Sequence, residues 1–316
     1  MSFTAEVKDD IARVEAVCPT CDLAELSALI RVCGTLSWRG PGRYSIRIAT
    51  ETGAVARTLI KLSHKVFDLE TELTVRRSNL HKSRNYLIVI PEQPGLEEAL
   101  LRMGILRQGR GVVSGIAPGL VRRECCRRAY LRGAFMAGGF IADPRGDFHL
   151  EIAVTGEDLA GDLVRLTASL GLTARVNSRR GSFAIYLKSF DDVVAMLVAL
   201  GAQREAIAVE NVRVVKSVKN DVNRRVNAEI ANQARSTGAA ADQLALIDEA
   251  ERLVGLGSLP PALREFCEMR RAYPELSLRD LGRAYDKPVS KSALYHRVLR
   301  LRETVDQASR TVGPNP

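Results

Sequence analysis

Apolar and polar residues alternate through the first two thirds of the chain in a pattern that predicts one series of elements twice. In the first copy, alternation at Tyr44–Thr50 and Asn85–Ile90 predicts strands, and Gly53–His64 is predicted to be a helix. In the second copy, Phe148–Val154 and Phe183–Leu187 predict the matching strands. Each copy is therefore predicted to fold as α-β-β-α-β-β-α, an internal repeat that organises this part of the chain.

A nine-residue segment opens each copy: LSALIRVCG at Leu26–Gly34 and LRGAFMAGG at Leu131–Gly139. Small residues at helical intervals let two helix backbones approach closely, so the segments are candidates for a packed helix pair. Taken singly, each is better explained as an ordinary amphipathic core helix. Taken as a repeated pair, they resemble the signature of the LAGLIDADG homing endonuclease family.

That resemblance implies signature helices at a pseudo-twofold axis, flanked by four-stranded sheets that lie in the DNA major groove. It also implies an acid at the eighth signature position that binds a divalent metal. Here the eighth positions are Cys33 and Gly138. Cleavage with magnesium needs hard oxygen ligands, so we expect no catalytic residues and no nuclease activity. The nearby acids lie several residues from the helix ends: Asp22, Glu25, Asp143 and Asp147.

Capping residues near the end of the chain predict a helix-turn-helix. Ser277, followed by Asp280, starts a short helix, and Ser290 caps a second. Four apolar residues of the second helix are expected to pack inward: Leu294, Val298, Leu301 and Val305. Its first turns would contact base edges while the cap and flanking arginines hold phosphates. The predicted DNA-binding residues are Ser290, Lys291, Ser292, Tyr295, His296, Arg297 and Arg300. The alternative is a purely structural three-helix unit.

Positive charge favours a polyanionic partner but identifies it no further, since the net charge of +9 also suits an acidic membrane surface. Between Arg102 and Arg132, eight arginines and interspersed glycines predict a flexible connector that faces phosphates, or else a solvated loop. Basic pairs at equivalent hairpin tips are further DNA candidates, although each is equally typical of an ordinary tip: Arg76, Arg77, Arg179 and Arg180. Other candidates on the strands and turns are Arg39, Arg47, Lys82, Arg84, Arg175 and Lys188.

Six cysteines are present, and four of them form two short pairs: Cys18 with Cys21, and Cys125 with Cys126. A shared metal site would need adjacent ligands, which we expect to be strained, so plain reduced cysteines are favoured and no metal or cofactor is predicted. No apolar run is long enough to span a bilayer and the N-terminus lacks a signal-peptide core, which predicts a cytoplasmic, nucleoid-associated protein without a membrane partner.

The combination of two altered LAGLIDADG repeats and a helix-turn-helix resembles the WhiA family of bacterial sporulation and cell-division regulators. The stretches that carry the resemblance are MSFTAEVKDDIAR, CCRRAYLRGAFMAGG, VNRRVNAEIAN and SLRDLGRAYDKPVSKSALYHRVLRLRE. The resemblance implies promoter DNA as partner, bound chiefly by the C-terminal domain, without endonuclease activity. It also implies a WhiB-type iron–sulfur protein and the RNA polymerase sigma factor as partners.

The sequence therefore predicts an α+β fold: two αββαββα repeats that form a pseudo-twofold saddle, followed by an all-α helix-turn-helix domain. The expected parts are the first repeat with an N-terminal helix (1–108), a basic glycine-rich connector (109–122), the second repeat (123–216), a helical linker (217–258) and the helix-turn-helix (259–310). The predicted function is sequence-specific transcription regulation. The alternatives are a residual metal-dependent nuclease and a low-specificity DNA-architectural or cell-division protein.

Overall fold

The computed structural model describes residues 2–77, 84–109, 111–179 and 181–311. It divides the chain into two compact units, Met1–Val215 and Lys216–Pro316. Within the described residues, no helix combines the length and the apolar character needed to cross a membrane.

The first repeat folds in the predicted order after one N-terminal helix. Its elements are α1 (Phe3–Ile11), α2 (Pro19–Cys33), β1 (Gly34–Trp38), β2 (Tyr44–Thr50), α3 (Gly53–Phe67), β3 (Glu72–Arg77), β4 (Arg84–Ile90) and α4 (Leu96–Arg102). Period-two alternation explains why the strands form, because Ile46, Ile48, Ile88 and Ile90 alternate toward the core while their neighbours face away. The predicted elements of this repeat are confirmed.

The second repeat follows after a short hairpin, β5 (Leu106–Arg107) with β6 (Gly111–Val112), and a 3-10 turn (Pro118–Val121). Its elements are α5 (Glu124–Gly138), β7 (Gly139–Ile141), β8 (Leu150–Val154), α6 (Glu157–Ala168), β9 (Arg175–Arg179), β10 (Ser182–Leu187) and α7 (Phe190–Leu200). The two sheets have equivalent antiparallel strand orders, β1-β2-β4-β3 and β7-β8-β10-β9. The sheets therefore carry the internal repeat that the sequence predicts, and the α+β class is confirmed.

The two signature helices, α2 and α5, pack directly against each other in the core of this unit. Gly133 is required at their crossing because a Cβ there would lie 2.3 Å from the carbonyl oxygen of Glu25 and 3.0 Å from the Cβ of Ala28. The small residues thus permit the close backbone approach expected from the sequence. The prediction that the two signature segments form a packed helix pair is confirmed. Both helices are also buried in the core, so the alternative of ordinary core helices describes only part of what they do.

The connector is held in place, which corrects the expectation of a flexible segment. The guanidinium of Arg31 donates hydrogen bonds to the carbonyls of Val113 and Gly104 at 2.5 and 2.6 Å. The carboxylate of Asp162 accepts a hydrogen bond from the backbone N–H of Ile116 at 2.7 Å, and Leu120 is buried. Side chains from both repeats therefore fix the connector, whereas glycine content alone suggested mobility.

Over residues 216–311, the secondary structure of the second unit is helical. It contains the greater part of α8 (Gln203–Leu253), a 3-10 turn (Leu256–Ser258), α9 (Pro261–Ala272), α10 (Leu278–Arg283) and α11 (Lys291–Thr311). The sequence predicts a helical linker over 217–258, and α8 runs through Gly238 without a break as far as Leu253. One glycine costs a helix only about 1 kcal/mol relative to alanine, which is too little to end it without a competing cap.

Candidate nucleic-acid interface

Capping interactions place α10 and α11 where the sequence predicts them. The hydroxyl of Ser277 accepts a hydrogen bond from the backbone N–H of Asp280 at 3.2 Å, and Ser290 accepts one from Ala293 at 3.2 Å. Each bond satisfies an N–H group that the first helical turn leaves without a partner. The loop between the two helices is therefore bounded by two serine caps.

The inward face of α11 is confirmed, since four of its residues are buried in the core of the helix-turn-helix unit: Leu294, Val298, Leu301 and Val305. The opposite side of the first turns is exposed at Lys291, Ser292 and His296, and Tyr295 is 54% exposed. The rings of Tyr295 and His296 lie 6.5 Å apart in an edge-on arrangement. The side that the sequence assigns to base edges is thus exposed.

Close approach at Gly282 seats α11 against α10. A Cβ at this position would lie 2.1 Å from the carbonyl oxygen of Val289. The backbone N–H of Val289 donates to the carbonyl of Gly282 at 2.9 Å, so the loop returns onto the helix at this point. A side chain on residue 282 would displace the start of α11, which carries the candidate base-reading residues.

The two arginines predicted to hold phosphates lie in different surroundings. Arg297 is 20% exposed, donates to Glu265 on α9 at 3.0 Å and stacks over the ring of Tyr285 at 5.5 Å. Arg300 is exposed. Arg297 therefore already has an intramolecular acid partner, and the phosphate role is assigned more naturally to Arg300.

A basic groove that the sequence did not reveal lies beside the start of α11. It has a volume of about 370 Å³, and its polar lining includes Asn232, Arg235, Arg279 and Lys291. Arg235 belongs to α8 and Arg279 to α10, and both are exposed. Only the fold brings these residues together, because the sequence separates Arg235 from Arg279 by more than forty positions. The groove extends the cationic surface around Lys291.

Buried Arg270 supports this arrangement from inside the unit. Its guanidinium donates to the side-chain oxygen of Gln243 at 3.0 Å and to the carbonyls of Tyr273 and Leu276 at 3.1 and 2.6 Å. Burial lowers the pKa of this group. Arg270 thereby fixes the loop from α9 to α10 against α8, a role that sequence spacing does not indicate.

Arginines and acidic residues both lie on the outer sheet faces of the first unit. Register places Arg47 and Arg76 on the face opposite the core in one sheet, with Glu72 beside them. Arg175 lies on the corresponding face of the other sheet, where Tyr186 separates it from Glu151 in the same row of paired residues. Arg77 and Arg179 end the edge strands β3 and β9, and the predicted contacts Lys82 and Arg180 lie outside the described residues. Arg39, Arg84 and Lys188 are exposed.

Arg132 does not belong to the cationic surface, which corrects its place in the basic stretch. Its Nε and Nη2 atoms donate to one carboxylate oxygen of Glu25 at 2.9 and 2.6 Å in the interior between α2 and α5. Burial raises the pKa of Glu25, and the adjacent guanidinium partly opposes that rise. This pair links the two repeats rather than any external anion.

The eighth signature positions lie at the C-terminal ends of α2 and α5, which continue directly into β1 and β7. The thiol of Cys33 donates to the carbonyl of Leu29 at 3.0 Å, and burial raises its pKa to about 11. At Gly138 a Cβ would lie 2.3 Å from the carbonyl oxygen of Ala153 and 2.9 Å from Val32 Cγ1. Position 138 therefore has no room for the side chain of an acid.

The four cysteines of the two short pairs come together at the other end of the same helices, and all their sulfurs lie within 4.8 Å of one another. Adjacent residues were expected to be a strained ligand set, but the sulfurs of Cys125 and Cys126 lie 4.0 Å apart while both residues belong to the helix α5. Among the described residues, no other group of three or more His, Cys, Asp or Glu side chains is placed to share an ion.

Three family models match successive parts of the chain. They describe a WhiA N-terminal LAGLIDADG-like domain over residues 19–106, a WhiA LAGLIDADG-like domain over 127–219 and a WhiA C-terminal HTH domain over 222–305. The last match contains α9, α10 and the first four turns of α11, where the candidate base-reading residues lie.

Relatives of known name match over nearly the full length. A protein of Heliobacterium modesticaldum named "Probable cell division protein WhiA" is 40% identical over 99% of this chain and 98% of its own length. A protein of the same name from Clostridium novyi is 37% identical over 97% and 98%. A crystal structure described as full-length DUF199/WhiA from Thermatoga maritima has 24% identity and a TM-score of 0.61, covers 97% of this chain and 99% of its own, and supports the fold.

Proposed function

Because the chain belongs to the WhiA family, we propose that it is a sequence-specific DNA-binding regulator of cell-division and sporulation genes. The single observation that carries the proposal is the exposed, capped start of α11 within the matched helix-turn-helix region. Promoter DNA is the proposed partner, and association with the nucleoid follows from that partner.

Base edges are read, in this proposal, by Ser292, Tyr295 and His296, which are exposed on the first turns of α11. Lys291 and Arg300 hold phosphates, while the hydroxyl of Ser290 orients the helix through its cap. Arg297 positions α11 through Glu265 and Tyr285. The arginines at the hairpin tips (Arg76, Arg77, Arg179 and Arg180) are proposed as secondary phosphate contacts.

The LAGLIDADG-like repeats bind without cutting in this proposal. Gly138 supplies no ligand and has no room for one, and Cys33 is a soft ligand whose thiol stays protonated at neutral pH because burial raises its pKa. Two-metal cleavage requires convergent carboxylates at this end of α2 and α5. A plasmid-nicking assay with magnesium and excess protein tests the point, since metal-dependent nicks would contradict it.

Specificity is tested by affinity for an oligonucleotide selected on the full chain against a scrambled duplex of the same length at physiological salt. A specific regulator typically prefers its site by about 1,000-fold or more. A ratio near one would instead support a low-specificity architectural protein. Immunoprecipitation of bound DNA from the native host, using the full chain and one truncated near Asn232, then shows which sites depend on the helix-turn-helix.

Protein partners are a further part of the proposal. A WhiB-type iron–sulfur protein and the sigma factor of RNA polymerase are the partners that family membership suggests. Co-purification from the native host, with and without nuclease treatment, separates direct association from joint residence on DNA. Loss of both proteins after nuclease treatment would count against direct contact.

A further inference from the structure

Four thiols meet at the N-terminal ends of the two central helices. Cys18 and Cys21 belong to the cap and first turn of α2, and Cys125 and Cys126 belong to the first turn of α5. The sulfur of Cys18 lies 3.4 Å from that of Cys21, 3.9 Å from that of Cys125 and 3.6 Å from that of Cys126. Residues more than one hundred positions apart thus form one compact sulfur cluster.

These separations suit four ligands of one metal ion. Zinc binds thiolate sulfur at about 2.3 Å, and a regular tetrahedron with that bond length places its sulfurs about 3.8 Å apart. The separations of Cys21 from Cys126 and of Cys125 from Cys126 are 3.9 and 4.0 Å. A disulfide would need about 2.05 Å between sulfurs. A four-iron cluster binds each thiolate to a different iron and would hold the sulfurs farther apart.

The surroundings favour thiolate sulfur. The N-terminal ends of two helices meet at the cluster, and the partial positive charge of a helix N-terminus stabilises an anion there. Cys21 and Cys126 are buried, whereas Cys18 and Cys125 reach the surface and leave a route for an ion.

We propose that Cys18, Cys21, Cys125 and Cys126 together bind a single thiophilic metal ion in tetrahedral geometry, with zinc as the ion best suited to four sulfur ligands. Binding releases the remaining thiol protons to solvent. Because each repeat contributes two ligands, the ion ties the repeats together at one end of the α2–α5 pair. A closed set of four protein ligands makes the site structural, and it is independent of the DNA-binding proposal.

Metal analysis of the full chain, purified without chelator and with any affinity tag removed, tests this site. We expect about one zinc per chain by elemental mass spectrometry, and a loss of most of it in Cys126→Ser. The matched control is Cys33→Ser, which changes a cysteine of the same helix pair outside the cluster and should retain the ion. One iron per chain in place of zinc would still support a single-ion site, whereas several irons with sulfide would overturn it.

Two measurements on the unaltered chain keep the test decisive if a variant fails to fold. Cobalt added to metal-free protein should give the intense visible bands of a tetrahedral thiolate site. Alkylation followed by mass spectrometry should find the four cluster cysteines protected until a chelator is added. Absence of metal with an unperturbed cobalt spectrum would overturn the proposal. The proposal would also be overturned if the intact protein were 2 Da lighter than its sequence mass and a disulfide-linked Cys18–Cys21 peptide were found.

Discussion

The carboxylate of Glu25 on α2 and the guanidinium of Arg132 on α5 form a buried ion pair between the two repeats, with side chains only 7% and 6% exposed. Both donors of Arg132 reach one oxygen of Glu25, at 2.9 and 2.6 Å. A buried pair of this kind costs desolvation on both sides, so its presence contributes little net stability, but the loss of one partner is costly. The pair sits beside Gly133, where a Cβ would lie 2.3 Å from the carbonyl oxygen of Glu25.

Replacing Arg132 by methionine should therefore destabilise the first unit by about 3–5 kcal/mol, because the Glu25 carboxyl is left buried without its partner. Burial raises the pKa of that carboxyl, so the loss of stability in the variant depends on pH. Protonated Glu25 is tolerated at low pH, and stability is lost as pH rises through the folded-state pKa. Thermal unfolding at pH 5 and pH 8 should show a larger deficit at pH 8.

Arg128→Met is the matched control for that experiment, since Arg128 lies on the same helix and pairs with Glu124 at the surface. Its effect should stay below about 1 kcal/mol at both pH values. The double variant Glu25→Leu with Arg132→Met should recover most of the lost stability. Equal deficits for Arg132→Met and Arg128→Met would show that the buried pair has no special role.

Base reading and phosphate holding on α11 should separate by mutation. Arg300→Ala should weaken binding to all duplexes and reduce the slope of log affinity against log salt by about 1, as expected for one lost phosphate contact. Tyr295→Ala and His296→Ala should mainly reduce the ratio of selected to scrambled affinity, by about 5- to 150-fold for a change of 1–3 kcal/mol. Fluorescence titrations at several salt concentrations measure both. Identical behaviour of the two sets would refute the proposed orientation of α11.

Arg297→Ala provides a contrast on the same helix. It should lower the melting temperature of the helix-turn-helix unit, because it removes contacts to Glu265 and Tyr285, while changing the salt slope less than Arg300→Ala does. Glu265→Gln should reproduce part of the loss of stability. If Arg297→Ala reduced the slope of log affinity against log salt as strongly as Arg300→Ala does, Arg297 would also be a phosphate contact.

Local periodicity explains how much of this structure could be predicted from sequence. Strands such as β2 and β10 have two-residue alternation, and α11 has both a serine cap and an inward stripe, so neighbouring residues specify these elements. The absence of an acid at position 138 could also be predicted, because the signature segment identifies that position in the sequence. What the sequence did not show is that position 138 is closed by the backbone of β8.

Contacts between distant residues account for what the sequence missed. The connector was expected to be mobile, yet Arg31 holds it from 82 residues away. The sequence placed Arg132 among the surface arginines. Its burial beside Glu25 depends on how the two repeats pack, which spacing along the chain does not indicate. The adjacent cysteines were expected to be strained as ligands, and only the meeting of two helix N-termini brings all four sulfurs together. None of these contacts can be predicted from the spacing of residues along the chain.

Buried Lys8 should make stability depend on pH in the opposite way to Arg132→Met. Burial lowers its pKa to about 8, with the nearby Cys33 thiol acting against the shift. The unfolded chain holds this proton more strongly, so the cost of burying the charge is full below pH 8 and is relieved as pH rises toward 10.5. Lys8→Met should therefore stabilise the protein by about 3 kcal/mol at pH 7.

The stabilisation should shrink by roughly half or more at pH 9.5, because wild-type Lys8 is by then largely neutral in the folded state. Denaturant unfolding of both proteins at pH 7 and 9.5 measures the difference. Lys219→Met changes an exposed lysine and should leave stability within about 0.5 kcal/mol. A gain from Lys8→Met that is constant with pH would mean that better packing, and not charge burial, is its cause.

Placing an acid at the eighth signature position of α5 should damage the fold before it creates a nuclease. Even Gly138→Ala forces a Cβ against the Ala153 carbonyl and Val32, and overpacking of this kind costs about 1–3 kcal/mol. Gly161→Ala is the control, because its Cβ would meet only Arg165 Nη1 at 3.6 Å and alanine favours a helix by about 1 kcal/mol. The melting temperature should thus fall for Gly138→Ala and rise for Gly161→Ala.

Cys33→Asp combined with Gly138→Asp should give no magnesium-dependent nicking, since the second carboxylate cannot reach its place without displacing β8 from α5. A folded double variant that nicks plasmid DNA would show that the framework admits a metal-binding acid pair and would contradict this expectation.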